Sequence, residues 1–370
     1  MPPVIFDSID EMISIAGLAA LVGGAVTSIE RAPLEVAHFS GNTLERVIVG
    51  VAGAERRLVL KRFAIERDWV MRLTHDHAVR EVALYRHGIY ARLPSICYVP
   101  IIAVARDGDG WASLMDDVSA GLPADDSLTP GDLRCYLTAL AAVHIRFMSD
   151  ESLSDPALGL SSLRDFVQIL AAPTVEAECT EGRSHPVLEA ARRGWQVFAE
   201  IAPPEAVQMV GKLAHDPEPL LALLDHMPHT LVHGDFKAAN LGVWPSGSGS
   251  QSATSAEAPL TIILDWQDAT KGSALLDLGY FLAISGPRLP VTKAAAIDIY
   301  RAALNHQGYR FSDQVWERDL DLGLLAGGAL RLLWQKALGV QSPDPAIRAA
   351  QIEELRWWCD VTIRACRWLG

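Results

Sequence analysis

Hydrophobic and polar positions alternate in the first third of the chain, and this alternation predicts a β-sheet. It covers residues 34–39, 46–51 and 57–63, and the last two segments are rich in Val, Ile and Leu. Small, turn-forming residues separate these segments at residues 40–43 and 52–55. Short strands joined by such turns are typical of an antiparallel sheet, so we expect consecutive antiparallel strands here.

Further strands and a helix are predicted before residue 117. The strands cover residues 94–105 and 111–115, on either side of an Asp-Gly-Asp-Gly turn. The helix covers residues 76–86, because the apolar residues of this segment recur with helical spacing.

Helical spacing dominates beyond residue 117. Helices are predicted at residues 132–148, at 186–201 and from 294 onwards, and short strands at 230–232, 241–244 and 260–264. This change from strands to helices predicts an N-terminal lobe, residues 1–117, and a C-terminal lobe, residues 118–370. Inside the second lobe, the Gly- and Ser-rich residues 245–258 are predicted to form a flexible loop.

Residues 12–29 carry no charge, which raises the question of a membrane span. The segment contains three glycines, two serines and a threonine, whereas a spanning helix needs about 20 mostly apolar residues. Acidic residues precede the segment, whereas a signal peptide begins with positive charge. Ser8 and Glu11 have the spacing of a capping box, so we expect a soluble amphipathic helix that begins here.

Composition narrows the class of protein. The chain has 370 residues, half of them apolar, and a formal net charge of −13. This acidic balance argues against nucleic acid or an anionic membrane as a partner. The five cysteines are dispersed, without a Cys-x-x-Cys pair. Such a set is typical of reduced thiols, so we expect a cytoplasmic protein.

The segment HGDFKAAN, residues 233–240, carries the most informative polar residues of the chain. In a kinase catalytic loop, an Asp accepts the proton of the substrate hydroxyl and an Asn five residues later binds a metal ion. Asp235 and Asn240 have this spacing, and Asp265 follows at the end of a predicted strand. Asn240 and Asp265 offer the oxygen ligands that Mg²⁺ prefers. Lys237 is placed to neutralise charge on a transferred phosphoryl group. A surface turn with incidental Asp and Asn is the alternative.

A lysine in the strand at residues 57–63 has two interpretations. Lys61 lies among apolar residues, which is typical either of a sheet-edge lysine or of a lysine held for an anion. The catalytic-loop residues favour the anion. Such a lysine needs a carboxylate partner. Glu81, in the predicted helix, is the leading candidate, and a solvent-exposed helix glutamate is the alternative.

Two further segments are weaker candidates for nucleotide binding. Ser40, Gly41 and Asn42 lie between predicted strands, where their backbone N–H groups are placed to cover phosphates. An ordinary hairpin turn would have the same composition. Met115 and Asp117 lie at the predicted lobe boundary, where a kinase presents backbone groups to adenine. A plain strand end is the alternative.

Together, these residues resemble the aminoglycoside phosphotransferase-like (choline-kinase-like) family of small-molecule kinases. The family's catalytic loop has the pattern His-Gly-Asp-x-x-x-x-Asn and precedes a strand that ends in Asp-Trp or Asp-Phe. Both are present here, at residues 233–240 and at Asp265-Trp266. Two residues of this chain resemble the nucleotide-binding pair of the family: Lys61 its strand lysine, and Glu81 its helix glutamate. Residues 114–117 resemble the family's hinge, and Asp277-Leu278 resembles its Asp-Leu element.

The resemblance implies an α+β, protein-kinase-like fold, with a small antiparallel-sheet lobe for nucleotide and a larger, mostly helical lobe for catalysis and substrate. It implies ATP, with GTP left open, and Mg²⁺. The catalytic residues would be Asp235 and Lys237, and the metal ligands Asn240 and Asp265. The nucleotide-binding residues would be Lys61, Glu81, Ser40, Gly41, Asn42, Met115 and Asp117.

The sequence departs from protein kinases in two ways. Lys237 makes the loop resemble that of serine/threonine protein kinases, but Gly234 stands where those enzymes have an arginine. Only 12 residues separate Asp265 from Asp277, which leaves little room for a peptide-binding platform. The predicted partner is therefore a small molecule with a hydroxyl group, with no nucleic acid and no membrane. Asp277 is expected either to brace the catalytic loop or to be a plain helix N-terminal charge.

The sequence thus predicts an ATP- and Mg²⁺-dependent phosphotransferase that acts on a hydroxyl group of a small molecule. An aminoglycoside, choline or sugar kinase on the same fold stays open. The alternative from another class is a nucleotide-binding regulator with the kinase fold and no turnover. The tryptophans beyond Asp277 are expected to lie mostly in the core, with one or two of them in an acceptor pocket.

Overall fold

The structure is a computed structural model that describes residues 2–34, 41–123, 127–183, 185–244 and 259–369. The strands are β1 (Ile5–Phe6), β2 (Val26–Pro33), β3 (Thr43–Val51), β4 (Ala54–Arg62), β5 (Cys97–Tyr98), β6 (Ile101–Asp107), β7 (Gly110–Asp116), β8 (His229–Val232), β9 (Leu241–Trp244), β10 (Leu260–Ile263) and β11 (Thr270–Ser273). The helices are α1 (Ile9–Met12), α2 (Ile15–Val22), α3 (Trp69–Leu73), α4 (Arg80–Arg86), α5 (Pro130–Arg146), α6 (Leu163–Gln168), α7 (Ala172–Thr180), α8 (Pro186–Ile201), α9 (Pro204–His215), α10 (Glu218–Asp225), α11 (Leu275–Ser285), α12 (Lys293–His306), α13 (Asp313–Gly323), α14 (Leu330–Gly339) and α15 (Pro345–Ala365).

The chain forms two compact units. The first unit consists of Met1–Leu122, Asp155–Gly159 and Gly242–Gln267, and the second of Pro123–Ser154, Leu160–Leu241 and Asp268–Gly370. The predicted lobes follow chain order alone, and their boundary after residue 117 stays a prediction. The segment that carries Asp265 belongs to the first unit, whereas the catalytic-loop segment belongs to the second.

The main sheet of the first unit has the strand order β1-β6-β7-β4-β3-β2. Strands β2, β3, β4, β7 and β6 are antiparallel to their neighbours, and β1 is parallel to β6. The predicted strands at 46–51 and 57–63 lie in β3 and β4, so the antiparallel sheet is confirmed. The predicted strand at 34–39 lies outside the described residues except for Leu34, and β2 is the strand that precedes β3.

The two faces of β4 have different neighbours. Leu58 and Leu60 are fully buried in a core that includes residues of α1 and α2. Side chains alternate between the faces of a strand, so Lys61 points to the opposite face. A second core, with residues of α3 and α4, lies on that side. The period of the strand therefore directs Lys61 toward the helix that carries Glu81.

The prediction of a single helix that begins after Ser8 is wrong. Ser8 does cap α1, since its Oγ accepts from Glu11 N at 3.1 Å. However, Ser14 Oγ donates to the Glu11 carbonyl oxygen and accepts from Gly17 N. A serine that caps in this way favours a new helix start, so the segment splits into α1 and α2 before β2. None of the described helices combines the length and the apolar character that a bilayer span requires.

Helix α11 packs closely against a π-helical segment, Leu324–Ala329, in the second unit. Glycines allow this contact. A Cβ atom on Gly279 would lie 2.6 Å from the Gly323 carbonyl oxygen, and one on Gly327 would lie 2.1 Å from the Leu276 carbonyl oxygen. Backbone therefore meets backbone, which fixes the position of α11.

Lys336 on α14 is a buried cation in the same unit. Its Nζ donates to the Ala283 carbonyl oxygen at 2.6 Å. Glu354, the nearby carboxylate, is ion-paired with Lys293 and accepts from Trp358 Nε1 at 3.2 Å. Burial, partly offset by Glu354, lowers the pKa of Lys336 to about 8.

We predict that Gly327→Ala destabilises the protein by about 1–3 kcal/mol, because the added methyl group would force two backbone segments apart. Gly211→Ala is the matched control. It lies in α9, and its Cβ atom would meet no other atom within 4 Å. That variant should be stabilised by roughly 0.5–1 kcal/mol, since Ala favours a helix over Gly. Urea unfolding measures both. Equal changes in the free energy of unfolding of the two variants would contradict close packing at Gly327.

Lys336 also predicts a pH dependence of stability. Its folded-state pKa of about 8 lies below the usual lysine value of about 10.4. Between these values the unfolded state binds more protons, so stability rises with pH. The free energy of unfolding of the wild type, minus that of Lys336→Met, should increase by up to about 1.4 kcal/mol per pH unit over this range. A constant difference between pH 7 and 10 would contradict the shift.

Candidate active site

Lys61 is held between two carboxylates in the first unit. Its Nζ lies 2.8 Å from Glu81 Oε2 and 2.8 Å from Asp265 Oδ1. The Lys61 side chain is 10% exposed and that of Glu81 only 2%. The backbone N–H of Arg80 donates to both carboxylate oxygens of Asp76 at 2.9 Å, which fixes the start of α4 and thereby Glu81.

The two carboxylates keep Lys61 charged. Burial alone lowers the pKa of this amine, but the charges of Asp265 and Glu81 more than offset burial and raise it. Lys61 therefore connects the helix that carries Glu81 to the segment that carries Asp265.

Asp265 has a strained backbone. Its φ is +62°, in the left-handed region that residues other than glycine rarely adopt. The next residues hold this conformation. The Gln267 side chain accepts from Asn42 Nδ2 at 2.9 Å and donates to Asp68 Oδ2 at 2.7 Å. The guanidinium of Arg80 donates to the Gln267 carbonyl oxygen. The segment after β10 is therefore fixed from several sides within the first unit.

The predicted phosphate-binding loop is only partly described. Ser40 lies outside the described residues. Gly41 has a φ of +120°, and a Cβ atom there would lie 2.4 Å from the Arg67 carbonyl oxygen, so this position requires glycine. Asn42 is buried and bonded to Gln267. The contacts connect this loop to the Asp265 segment, and its role toward phosphates stays a prediction.

The predicted adenine-binding segment is the end of β7. Met115 pairs with Val59 of β4. The backbone N–H of Asp116 donates to the Pro100 carbonyl oxygen at 2.9 Å, and that of Asp117 donates to the Arg57 carbonyl oxygen at 3.1 Å. These amides connect the segment to its own unit, and contact with adenine stays a prediction.

The predicted catalytic loop, residues 233–240, lies between β8 and β9 in the second unit. Asp235 Oδ2 accepts from Lys237 Nζ at 2.6 Å and from Asn240 Nδ2 at 2.9 Å. Asn240 Nδ2 also donates to the Asp235 carbonyl oxygen at 2.9 Å. A short 3₁₀ turn, Ala238–Asn240, brings these residues together. Because the amide nitrogen of Asn240 serves Asp235, its amide oxygen is the atom suited to a cation.

Asp277, at the start of α11, holds the backbone of this loop. It accepts from His233 N at 2.7 Å and from Gly234 N at 2.8 Å. His144 Nε2 donates to it at 3.1 Å, and His144 Nδ1 lies 2.6 Å from the Tyr300 hydroxyl. Burial alone raises the pKa of Asp277, but His144 and His233 more than offset burial and lower it. These contacts support the bracing interpretation.

Comparison with known proteins now decides the family. A profile described as the phosphotransferase enzyme family, APH, matches residues 36–313. The chain belongs to this family. Its members are small-molecule kinases, so the resemblance inferred from the sequence is confirmed. A search of curated proteins found no significant match.

The chain is also similar to solved structures of small-molecule kinases. Ethanolamine kinase from Plasmodium vivax is 11% identical with a TM-score of 0.52, over 94% of this chain and 86% of that one. Choline kinase from Streptococcus pneumoniae is 12% identical with a TM-score of 0.46, over 98% and 99%. Aminoglycoside phosphotransferase from Streptomyces rimosus, solved with ADP and streptomycin, is 16% identical with a TM-score of 0.47, over 87% and 99%. The TM-score with ethanolamine kinase supports the protein-kinase-like fold.

Sequence analysis missed two residues at the catalytic loop of this family member. The Tyr280 hydroxyl donates to Asp235 Oδ1 at 2.6 Å, and Arg331 Nη1 donates to the Gly234 carbonyl oxygen at 2.9 Å. Tyr280 lies three residues after Asp277, on the same face of α11, and this spacing was the available signal. For Arg331 the signal was a single charge within the apolar segment of residues 324–334.

Gly234 is required by its surroundings. Its φ is +86°, and a Cβ atom there would lie 2.1 Å from the Asp268 carbonyl oxygen. The arginine that protein kinases have at this position therefore does not fit. Arg331 reaches the carbonyl of Gly234 from α14 instead, and its guanidinium is ion-paired with Asp268.

The tryptophans beyond Asp277 are divided between core and surface. Trp316, Trp334 and Trp358 are buried, whereas Trp357 and Trp368 are half-buried. The acidic residues nearby already have basic partners. Asp319 pairs with Arg318, and Asp321 with Arg364 and Arg367. The carboxylates of Asp319 and Asp321 are buried, so these arginines balance their charge.

We predict that Asp277→Asn destabilises the protein by about 3–5 kcal/mol at pH 7, because it breaks a buried charged network and opposes an amide N–H to a backbone N–H. Asp313→Asn is the control, since the Asp313 side chain is 95% exposed. That exposed pair should contribute less than about 1 kcal/mol. Chemical unfolding compares the variants. An effect of Asp277→Asn as small as that of the control would show that the loop does not depend on this carboxylate.

Proposed function

We propose that this protein transfers the γ-phosphoryl group of ATP to a hydroxyl group of a small molecule in a Mg²⁺-dependent reaction. One observation carries the proposal. Asp235 is held in the catalytic loop by donors on both of its carboxylate oxygens, while its side chain stays 19% exposed. A fixed and accessible carboxylate is suited to accept a proton from an acceptor.

Asp235 acts as the base in this proposal. Its carboxylate accepts the proton of the acceptor hydroxyl as that oxygen forms a bond to the γ-phosphorus. The bond between the γ-phosphorus and the bridging oxygen breaks, and ADP leaves with the electron pair. Lys237, whose Nζ lies 2.6 Å from Asp235 Oδ2, supplies positive charge at the same place.

The first unit supplies the nucleotide-binding residues. Lys61 would hold phosphate oxygens, with Glu81 fixing the position of its amine. The backbone of the loop Ser40-Gly41-Asn42 would cover the phosphates, and the segment of Met115 and Asp117 would contact adenine. The support for these roles is the buried Lys61–Glu81 pair and the resemblance of the segments to those of the family.

Asn240 and Asp265 would each supply an oxygen ligand for Mg²⁺. The donor set fits the ion, since amide and carboxylate oxygens are the ligands that it prefers. When bound, Mg²⁺ neutralises charge on the phosphates.

A small acceptor is supported by the short connection between Asp265 and Asp277. This segment contains a 3₁₀ turn, Trp266–Asp268, and strand β11, which pairs with β8. No residues are left for a peptide-binding segment in this fully described stretch. The ethanolamine kinase of similar fold is named for a small molecule that carries a hydroxyl group.

The test compares the wild type with Asp235→Ala. Both proteins are first examined for thermal stabilisation by Mg²⁺-ATP, and then for ATP consumption with ethanolamine, choline, streptomycin, spectinomycin and simple sugars. The variant should keep nucleotide binding and lose at least about 100-fold in turnover. Asp298→Ala, which removes an exposed carboxylate of α12, should behave as the wild type.

Three results would count against the proposal. Near-wild-type turnover by Asp235→Ala would remove Asp235 as the base. Stabilisation by Mg²⁺-ATP without turnover of any tested alcohol would favour the nucleotide-binding regulator. Absence of any response to Mg²⁺-ATP would count against both functions.

A further inference from the structure

The hydrogen bonds to the Asp235 carboxylate are unequal. Oδ2 accepts two of them, from Lys237 Nζ at 2.6 Å and from Asn240 Nδ2 at 2.9 Å. Oδ1 accepts one, from the Tyr280 hydroxyl at 2.6 Å. Among the described residues these are the donors to this carboxylate.

This inequality selects one oxygen for the acceptor. A carboxylate offers about four lone-pair sites, two on each oxygen. Lys237 and Asn240 fill the two sites on Oδ2, and Tyr280 fills one site on Oδ1. The remaining site is therefore on Oδ1, next to the phenol of Tyr280.

We propose that Tyr280 is a positioning residue, and that the acceptor hydroxyl binds Oδ1 of Asp235 beside the Tyr280 hydroxyl. This inference rests on the proposed function, in which Asp235 is the base. Tyr280 directs one lone pair of Oδ1 toward the acceptor by occupying the other. It acts through Asp235 and does not itself exchange a proton with the acceptor.

The surroundings of Tyr280 suit this role. Its ring is buried on α11, with the guanidinium of Arg331 4.7 Å from the ring centroid. Arg331 also lies 4.2 Å from the ring centroid of Phe166 and is bonded to the Gly234 carbonyl oxygen. One side chain thus fixes both the ring of Tyr280 and the backbone before Asp235.

The Tyr280 hydroxyl stays protonated and can only donate to Asp235. Burial, together with the negative charge of Asp235, raises the pKa of the phenol well above its usual range. The hydrogen bond is charge-assisted, and such bonds are stronger than neutral ones. Loss of the hydroxyl would free the carboxylate to rotate and leave two sites on Oδ1 open.

The test uses Tyr280→Phe, which removes the hydroxyl and keeps the ring against Arg331. The probe is hydrolysis of γ-³²P-labelled Mg²⁺-ATP, with water as the acceptor. We expect kcat to fall about tenfold, which corresponds to the loss of one hydrogen bond of about 1.4 kcal/mol. The KM for ATP should be unchanged, and the variant should stay folded at the assay temperature, which its thermal unfolding midpoint checks. Tyr136→Phe is the matched control, since it removes another tyrosine hydroxyl from a buried residue of the second unit, and it should match the wild type.

The outcomes separate this inference from the proposed function. Wild-type hydrolysis above that of Asp235→Ala, with Tyr280→Phe equal to the wild type, overturns the role of Tyr280 and leaves Asp235 as the base. Wild-type hydrolysis equal to that of Asp235→Ala overturns both. A loss shared with Tyr136→Phe, one accompanied by a higher KM, or one explained by unfolding at the assay temperature shows a structural role and overturns positioning.

Discussion

The bond between the Asp277 carboxylate and the backbone of the catalytic loop is the interaction on which the site depends. Two consecutive amides, of His233 and Gly234, donate to one buried carboxylate. A buried charge is costly unless donors surround it, and here the donors belong to the loop itself. The loop conformation therefore satisfies the charge, and the charge stabilises that conformation. His144 completes the set and keeps the pKa of Asp277 below its usual range, despite the burial that opposes this shift.

The glycine contacts of α11 extend this constraint to Asp235. Gly279 and Gly327 bring α11 against the π-helical segment with backbone touching backbone. Asp277 and Tyr280 lie on the same helix. Asp277 is bonded to the start of the loop, and Tyr280 is bonded to the Asp235 carboxylate. A shift of α11 would thus move both contacts together. Small residues in the contact between α11 and the π-helical segment thus help to set the position of Asp235, because side chains on rigid elements are placed more accurately than those on loops.

The parts of the fold and of the site that depend on local spacing could be predicted from the sequence. Period-two alternation located β3 and β4. The five-residue spacing of Asp235 and Asn240 indicated the loop between β8 and β9, where a hydrogen bond joins the two side chains. Contacts between distant segments left weaker signals. Arg331 reaches Gly234 across 97 residues, and no local period encodes that contact. The prediction of one helix after Ser8 was wrong because Ser14 caps the start of a second helix. The Ser14 side chain competes for backbone hydrogen bonds, and hydrophobic spacing does not reveal this competition.

The two units differ in how they hold their acidic residues, and this difference bears on their chemistry. In the second unit, Asp277 and Asp235 are surrounded by donors, so their carboxylates are fixed. In the first unit, Lys61 is shared between Glu81 and Asp265, and Asp265 has a left-handed backbone. The rest of the unit maintains this backbone strain, through Arg80, Asn42 and Gln267. A backbone conformation that is unfavourable in isolation persists only where its surroundings over-determine it, and such conformations are concentrated at functional sites.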